Sequence, residues 1–273
     1  MREAKLLVVV SLLLMVVAGC NAQGSGAGTL QFYASGGDPV RVGMVSKDGW
    51  KMVFNHMFIT VTDVTGYQSQ PPYDPIYARD LIRYEKAAIL PGPTTVDIAQ
   101  NDPDGDGAVL VGEIADAEPG KYNAISWQMT PAAEGEYAGY ALVLVGRALK
   151  DAETIDFTLK FDQVGGYLCG EYFRHGQGAA EKRGILEGGE IADLEMTFAL
   201  DVLFGDGAQP AASILNRSAL GFDPLAAMAD DGILDVDTQE LAGALSADLG
   251  QQLEAAIAEL GMVGDGRCFH IVP

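Results

Sequence analysis

Apolar and polar residues alternate through much of the first two thirds of the chain. The clearest run spans residues 154–162: Ile155, Phe157, Leu159 and Phe161 point one way, Asp156, Thr158 and Lys160 the other. Side chains two apart share one face of a strand, so this spacing predicts a strand with one buried face. Met196, Phe198, Leu200, Val202 and Phe204 repeat the period and predict another. Residues 50–64 are longer, with Trp50, Met52, Phe54, His56 and Phe58 on one face and Val53, Met57, Ile59 and Val61 on the other. Apolar residues on both faces predict a strand in the middle of a sheet. Shorter strands are expected over 30–35, 40–44, 94–98, 108–114, 122–129, 140–149 and 167–173. Turn pairs such as Asp104-Gly105, Asp106-Gly107 and Pro119-Gly120 separate several of them. Residues 67–93 are Pro-rich and irregular, with one short helix expected around 77–86.

After about residue 210 the period changes. Asp223-Pro224 reads as an N-cap followed by proline at the first helical position. Asp237 with Glu240 three residues on resembles a capping box. Leu249, Leu253, Ile257 and Leu260 then form a helical stripe ended by Gly261. Residues 267–272 are expected to be extended. The pattern as a whole predicts a mainly β protein: an antiparallel β-sandwich over 30–273, with a C-terminal helical tail at about 222–261, forming one domain.

The N-terminus changes the setting of that domain. Arg2 and Lys5 precede an apolar run from Leu6 to Val17 that only Ser11 interrupts, and Val17-Ala18-Gly19-Cys20 follows. A bilayer span needs about 20 apolar residues, so the run has the length of a signal-peptide core. Small residues leading into Cys20 resemble the lipobox of bacterial lipoproteins, the substrates of the lipoprotein signal peptidase. The resemblance implies that residues 1–19 are removed and that the Cys20 thiol carries a diacylglycerol anchoring the chain to a membrane. Residues 21–29 are small and polar, a flexible tether of about 15–18 Å. Asn21 stands where an aspartate would argue for retention at the inner membrane, so the expected place is extracytoplasmic, at the outer membrane if the cell is Gram-negative. The strand after Trp50, residues 96–127 with the Pro119-Gly120-Lys121-Tyr122 turn, and the lipobox together resemble sandwich-type domains of bacterial extracytoplasmic lipoproteins with no assigned activity. No catalytic residue carries over from them.

Charge narrows the partners. The chain has 17 Lys+Arg against 38 Asp+Glu, and removing residues 1–19 leaves 15 against 37, or −22. Nucleic acid is excluded as a partner class, because binding phosphates needs a basic surface. Anionic lipid would also be repelled, which leaves the acyl chains on Cys20 as the expected membrane contact.

With Cys20 lipidated, Cys169 and Cys268 are the remaining thiols. Outside the cytoplasm such a pair reads as a disulfide, with two free buried thiols or two metal thiolates as alternatives. Two local patterns could hold a metal. Asp102, Asp104, Asp106 and Glu113 fall on the acidic positions, and Gly107 on the glycine position, of a calcium-loop template that starts at Asp102 and closes on Glu113. Strands are expected on both sides of it, however, and an extended Glu113 would lie too far away to close the site; the alternative is an acidic turn. The second pattern uses the three histidines. His175 and His270 lie near Cys169 and Cys268 in sequence, and His56 with Glu171 would complete a zinc or copper site. The alternative makes His56 a hydrogen-bonded core residue.

The chain has no Gly-x-Ser-x-Gly elbow, no His-Glu-x-x-His and no Walker-type loop, although with so many acids a paired-carboxylate site stays open. The expectation is therefore a lipid-anchored, non-enzymatic metal-binding protein of the cell envelope. The alternative is a structural or adhesive module for an envelope protein or glycan.

Overall fold

The computed structural model describes residues 26–78, 81–100, 107–170, 183–264 and 266–271. The chain is mainly β. Its strands are β1 (Gly28–Ser35), β2 (Met44–Val45), β3 (Lys51–Ser69), β4 (Tyr84–Ile89), β5 (Thr94–Asp97), β6 (Val109–Ala117), β7 (Gly120–Lys121), β8 (Ala124–Met129) and β9 (Leu142–Lys150). The series continues with β10 (Glu153–Phe161), β11 (Gly165–Gly170), β12 (Ile185–Leu186), β13 (Ile191–Phe198), β14 (Ile233–Asp237), β15 (Gly261–Val263), β16 (Gly266–Arg267) and β17 (Phe269–Ile271).

Strand β3 organises the larger sheet. Several of its residues pair with two partners at once: Met52 with Met44 and Ala148, Phe58 with Asp97 and Val143, Gly66 with Ala88 and Ile125. Strands β2, β5 and β4 therefore lie on one edge of β3, and β9 and β8 on the other. Thr60 uses both its backbone groups on that second edge, donating to Ala141 O and accepting from Thr130 N. In an antiparallel strand the N–H and C=O of one residue point the same way. Strands β9 and β8 thus follow one another end to end along β3, and β10 and β14 extend the sheet from β9, β11 and β17 from β8. A second sheet, in the order β16-β15-β13-β1-β6, supplies Leu30 and Leu194, which approach β3 so closely at Gly66 that a β-carbon there would run into Leu194. The core holds Phe32, Trp127, Tyr167, Phe157, Phe161, Phe198 and Phe204. Two pairings, β1 with β13 and β10 with β14, are parallel, so the sheets are not wholly antiparallel.

Strand β3 corrects the two-faced reading of residues 50–64. Register shifts between Phe54 and His56, so one extra residue sits in the strand there. A bulge of this kind reverses the alternation. Met52, Phe54, Met57, Ile59 and Val61 all face the core, while Val53, Asn55, His56 and Phe58 face outward. A second irregularity lies between Thr62 and Thr65, where Asp63 takes φ 53°.

Other expectations shift in detail. Residues 40–44 are mostly helix, Gly37–Val42, before the two-residue β2. Residues 84–89 are a strand rather than part of a helix, because they pair with β3 over Thr65–Ser69. The period-two run from Met196 stops after Phe198, and Asp201–Phe204 closes a helical turn that buries Val202, Leu203 and Phe204 together. The C-terminal region is not one helical tail. Short helices Ile214–Ser218, Asp223–Ala226, Thr238–Ala244 and Ala247–Ala258 are interrupted by β14, which joins the large sheet, and are followed by β15, β16 and β17. Asp223 does not cap its helix through its side chain; its carboxylate accepts from Trp50 Nε1 at 2.8 Å and from Lys150 Nζ at 2.7 Å. The capping box at Asp237 and Glu240 is present in both directions. Leu253, Ile257 and Leu260 are buried as the stripe requires, with the Tyr167 hydroxyl donating to Ile257 O at 2.8 Å. Among the described residues no helix is long and apolar enough to cross a membrane.

Candidate functional site: a polar groove on the outer face of the sheet

Cross-strand register builds the site. On the face turned away from the core, Val53, Arg147, Asp156 and Ile233 form one row across β3, β9, β10 and β14. His56, Val145, Thr158 and Asp235 form the next row. Directly opposed residues on one sheet face are near neighbours, so eight side chains from four strands meet here. With Asn55, displaced outward by the bulge, they line an open groove of about 620 Å³. Four strands at about 4.8 Å spacing make it roughly 14 Å across. At its centre Gly146 lets β9 lie close to β3; a β-carbon would run into the Val53 carbonyl and the Phe157 ring.

His56 is the most organised group in the groove. Its Nδ1 lies 2.6 Å from Asp97 Oδ2, while Asp97 Oδ1 accepts from Met57 N at 2.9 Å and Ala99 N at 3.1 Å. The Asp97 side chain is buried, whereas His56 is half exposed. A carboxylate fixed by two backbone donors orients the imidazole, leaving Nε2 directed away from the carboxylate, with no partner among the described residues. The His56 ring stacks on Phe58 at 5.3 Å, and Phe58 in turn meets Tyr137 at 5.2 Å. Burial, helped by Glu136, pushes the Tyr137 phenol up.

The charges in the groove are matched in pairs. Arg147 donates twice to Asp156, from Nε at 2.6 Å and Nη2 at 3.1 Å, which holds the Asp156 carboxyl below the usual carboxylate range. Lys160 lies 2.7 Å from Asp235, and that hydrogen bond raises the Lys160 ammonium. Hydrogen-bonding capacity that is not committed to a charged partner therefore resides in Asn55, Thr158 and His56 Nε2.

The sequence-derived candidates fall elsewhere or apart. Cys169 and Cys268 are joined, with α-carbons 4.5 Å apart, which excludes the free-thiol and metal-thiolate alternatives. His270 packs beside Tyr167 on β17, and burial lowers its imidazole. Through β11 and β8, His270 lies level with the stretch of β3 between Thr62 and Thr65. His56 is three strands across from it and about seven residues, roughly 23 Å, along the sheet. The expected three-histidine cluster is therefore not assembled: His56 and His270 do not share a site. Nor is His56 a core residue, because the bulge turns it outward. Glu113 sits in extended β6 and accepts from Gln31 Nε2 at 3.0 Å. The strand carries it about 20 Å beyond Gly107, so it does not turn back as the calcium template requires. Cys20, Asp102, Asp104, Asp106, Glu171 and His175 lie outside the described residues. Among the described residues no three His, Cys, Asp or Glu side chains come together in a group that could hold a metal ion.

Sequence reasoning did not find Asn55, Asp97, Arg147, Thr158 or Asp235. Outward placement of Asp156 and Thr158 was legible in the alternation, but what lies opposite them depends on register between distant strands. Compared with family models, with curated proteins and with solved structures, the chain shows no match.

Proposed function

We propose that the chain is a lipid-anchored, non-enzymatic binding module of the cell envelope that holds an extended neutral glycan in the groove over β3, β9, β10 and β14. The lipid anchor rests on the lipobox ending at Cys20. The observation that supports the ligand class is the pairing of charges in the groove: Arg147 with Asp156, Lys160 with Asp235. A site whose ions are already neutralised does not call for a charged ligand. It offers neutral donors and acceptors at Asn55, His56 and Thr158 beside the Phe58 ring, which suits a polyhydroxylated chain with an apolar ring face. An open groove across four strands fits an oligomer better than a small enclosed cofactor. The chain's net charge of −21 disfavours anionic polymers.

The test is titration of the purified mature protein with soluble neutral glucan oligomers and with glycan strands released from cell wall, followed by calorimetry. Binding that is lost in Asn55→Ala and His56→Ala and kept in Tyr77→Ala supports the reading. No heat with either glycan, or binding indifferent to Asn55 and His56, overturns it. Fatty-acid labelling of the expressed chain, abolished by Cys20→Ala, tests the anchor separately.

A second reading follows from the Asp97–His56 couple, since a metal-binding imidazole commonly gives its other nitrogen to a carboxylate. In this reading His56 is one ligand of a zinc or copper ion, and the remaining ligands come from a bound partner. Elemental analysis of protein purified without chelator checks it. Near-stoichiometric metal that disappears in His56→Ala supports it; metal-free protein whose stability neither ion changes overturns it.

A further inference from the structure

The chain enters β1 at Gly28, and the surroundings of that point carry a second membrane contact. Gly28 lies opposite Ala117 at the end of β6. The next turn is held to the far end of β3, where Gln68 Nε2 donates to Glu118 O at 3.1 Å and Pro119 O at 3.3 Å. Lys86 of β4 reaches Glu118 at 2.6 Å. Gly28, the C-terminal end of β3 and the start of β4 thus share one end of the molecule. Tyr73 folds there as well, buried against Ile82 and Ala124.

This end carries a rim of exposed large apolar side chains: Ile76, Tyr77, Leu81, Tyr84, Ile185 and Ile191. Tyr77 is 87% exposed and Ile76 66%. Ile185 and Ile191 belong here because Ile185 pairs with Lys121 and Ile191 with Thr29. Pro71, Pro72, Tyr77, Leu81 and Arg83 surround a recess in the same rim. Several large apolar side chains left exposed at one end of a molecule mark an interaction site.

We propose that this rim seats on the lipid bilayer and that the groove at the other end of β3 points away from it; the proposal rests on the lipid-anchor reading. Tether length carries the choice of occupant. Eight chain steps separate Cys20 from Gly28, spanning at most about 29 Å fully extended and about 14–17 Å as a flexible coil. An acylated Cys20 therefore keeps the Gly28 end within tens of ångströms of the membrane for the life of the protein. The apolar rim lies at that same end, and its tyrosines and Arg83 are side chains suited to the boundary between headgroups and acyl chains. A rim that enters the interface removes apolar surface from water; with Glu85, Glu118 and Glu190 exposed beside it, it suits a zwitterionic bilayer better than an anionic one. The groove lies far from it: Val53, level with Ile233, is separated from Ser69 by roughly 50 Å of strand.

The experiment uses the lipidated protein in phosphatidylcholine vesicles whose acyl chains carry bromine, a short-range quencher of indole fluorescence. Native Trp50 and Trp127 are buried in the core and give a constant background. Tyr77→Trp and, as a second reporter, Leu81→Trp place an indole on the rim; Ile233→Trp places one beside the groove. The expected result is added emission that is quenched at 77 and 81, more by bromine near the headgroup than by bromine at the chain end, with no quenching at 233. Unquenched emission at 77 and 81 in protein that floats with the vesicles overturns the seating while leaving the anchor intact, and assigns the rim to a protein partner or a second copy. Equal quenching at 77 and 233 overturns the orientation. Protein that does not float with the vesicles overturns the anchor reading, and the proposal falls with it.

Discussion

The two ends of β3 obey the same alternation and present opposite surfaces. At the N-terminal end the outward face mixes Asn55 and His56 with Val53 and Phe58, and β9, β10 and β14 add Arg147, Asp156, Thr158 and Asp235 in register. At the C-terminal end the outward Tyr67 is packed against Tyr73 and Ile82, with the Tyr84 ring 5.0 Å from its own, and large apolar side chains such as Ile76, Tyr77 and Leu81 are exposed nearby beside the Lys86–Glu118 pair. One irregularity, the bulge at Asn55, lies within the groove end, and a second, the turn of backbone at Asp63, lies between the two ends. A single long strand can serve two surfaces because each extra residue re-aims everything after it. A change confined to one end can therefore leave the other undisturbed.

The largest effect belongs to the disulfide. Cys169 and Cys268 are 99 residues apart in sequence and fasten β11 to the last strands, on the β8 side of β3. Replacing both by serine frees a long loop in the unfolded chain and costs about 4–5 kcal/mol in the chain-entropy account. Each half has its own reporter, Trp50 beside Phe222 and Trp127 beside Tyr167. In single-tryptophan versions of the native protein the two denaturation curves coincide. In the Cys169→Ser, Cys268→Ser background the Trp127 curve comes first. Coincident curves there would mean that the two ends are one cooperative unit.

Asp97 is the next largest. Substitution by alanine leaves the Met57 and Ala99 N–H groups and His56 Nδ1 without their acceptor in a buried place. The expected cost is about 2–3 kcal/mol by chemical denaturation, read through Trp50. Asp97→Asn keeps an oxygen for the two backbone donors and loses less stability. Because it changes what His56 meets at Nδ1, it weakens groove binding more than it weakens the fold. Quenching of a reporter at position 77 in vesicles is unchanged in both variants.

The capping box is smaller again. Asp237→Ala removes the acceptor for the Glu240 N–H at 2.9 Å and costs about 1 kcal/mol in thermal denaturation. The Glu240 N–H holds the Asp237 carboxyl below its ordinary 3.8, although its partial burial opposes this. Its folded value is thus below its unfolded one. The contribution is present above the unfolded value and disappears as pH falls through the folded one. Acid titration of wild-type protein against Asp237→Ala shows the two stability curves converging at low pH.

How much of this was legible in the sequence depends on whether a feature is local. The strand Glu153–Phe161 was readable because its period is unbroken, and the capping box because it needs only four residues. Tyr84–Ile89 was not, since Glu85, Lys86, Ala87 and Ala88 are good helix formers and only pairing with β3 makes them a strand. Strand β14 is short and sits among helices, and its partner β10 lies more than 70 residues away. The bulge at Asn55 is written in no residue type: apolar residues on both sides of a strand look the same whether the strand is two-faced or slipped by one. That ambiguity put His56 in the core, and the register that brings Arg147 and Asp156 opposite Val53 and Ile233 lies beyond any local pattern.

The smallest expected effect tests the β8 side of the sheet without cutting a bond. His270 is half-buried on β17, 5.3 Å from the Tyr167 ring and tight against Gly165, where a β-carbon would run into the imidazole. Burial disfavours its protonated form, so its folded value lies below the ordinary 6.5. Between the two values the unfolded chain takes up the proton more readily than the folded one. The stability linked to His270 is therefore complete above about 6.5 and is lost as pH falls through the folded value. Melting temperatures measured at about pH 7.5 and pH 5 should drop more in the wild-type protein than in His270→Gln, which cannot take up that proton. If the drop is read through Trp127 and not through Trp50, acidification loosens the end that carries β17 while the groove end keeps its structure. Equal drops in both proteins would mean that His270 is already solvated and that the last strand contributes nothing to the difference between the two ends.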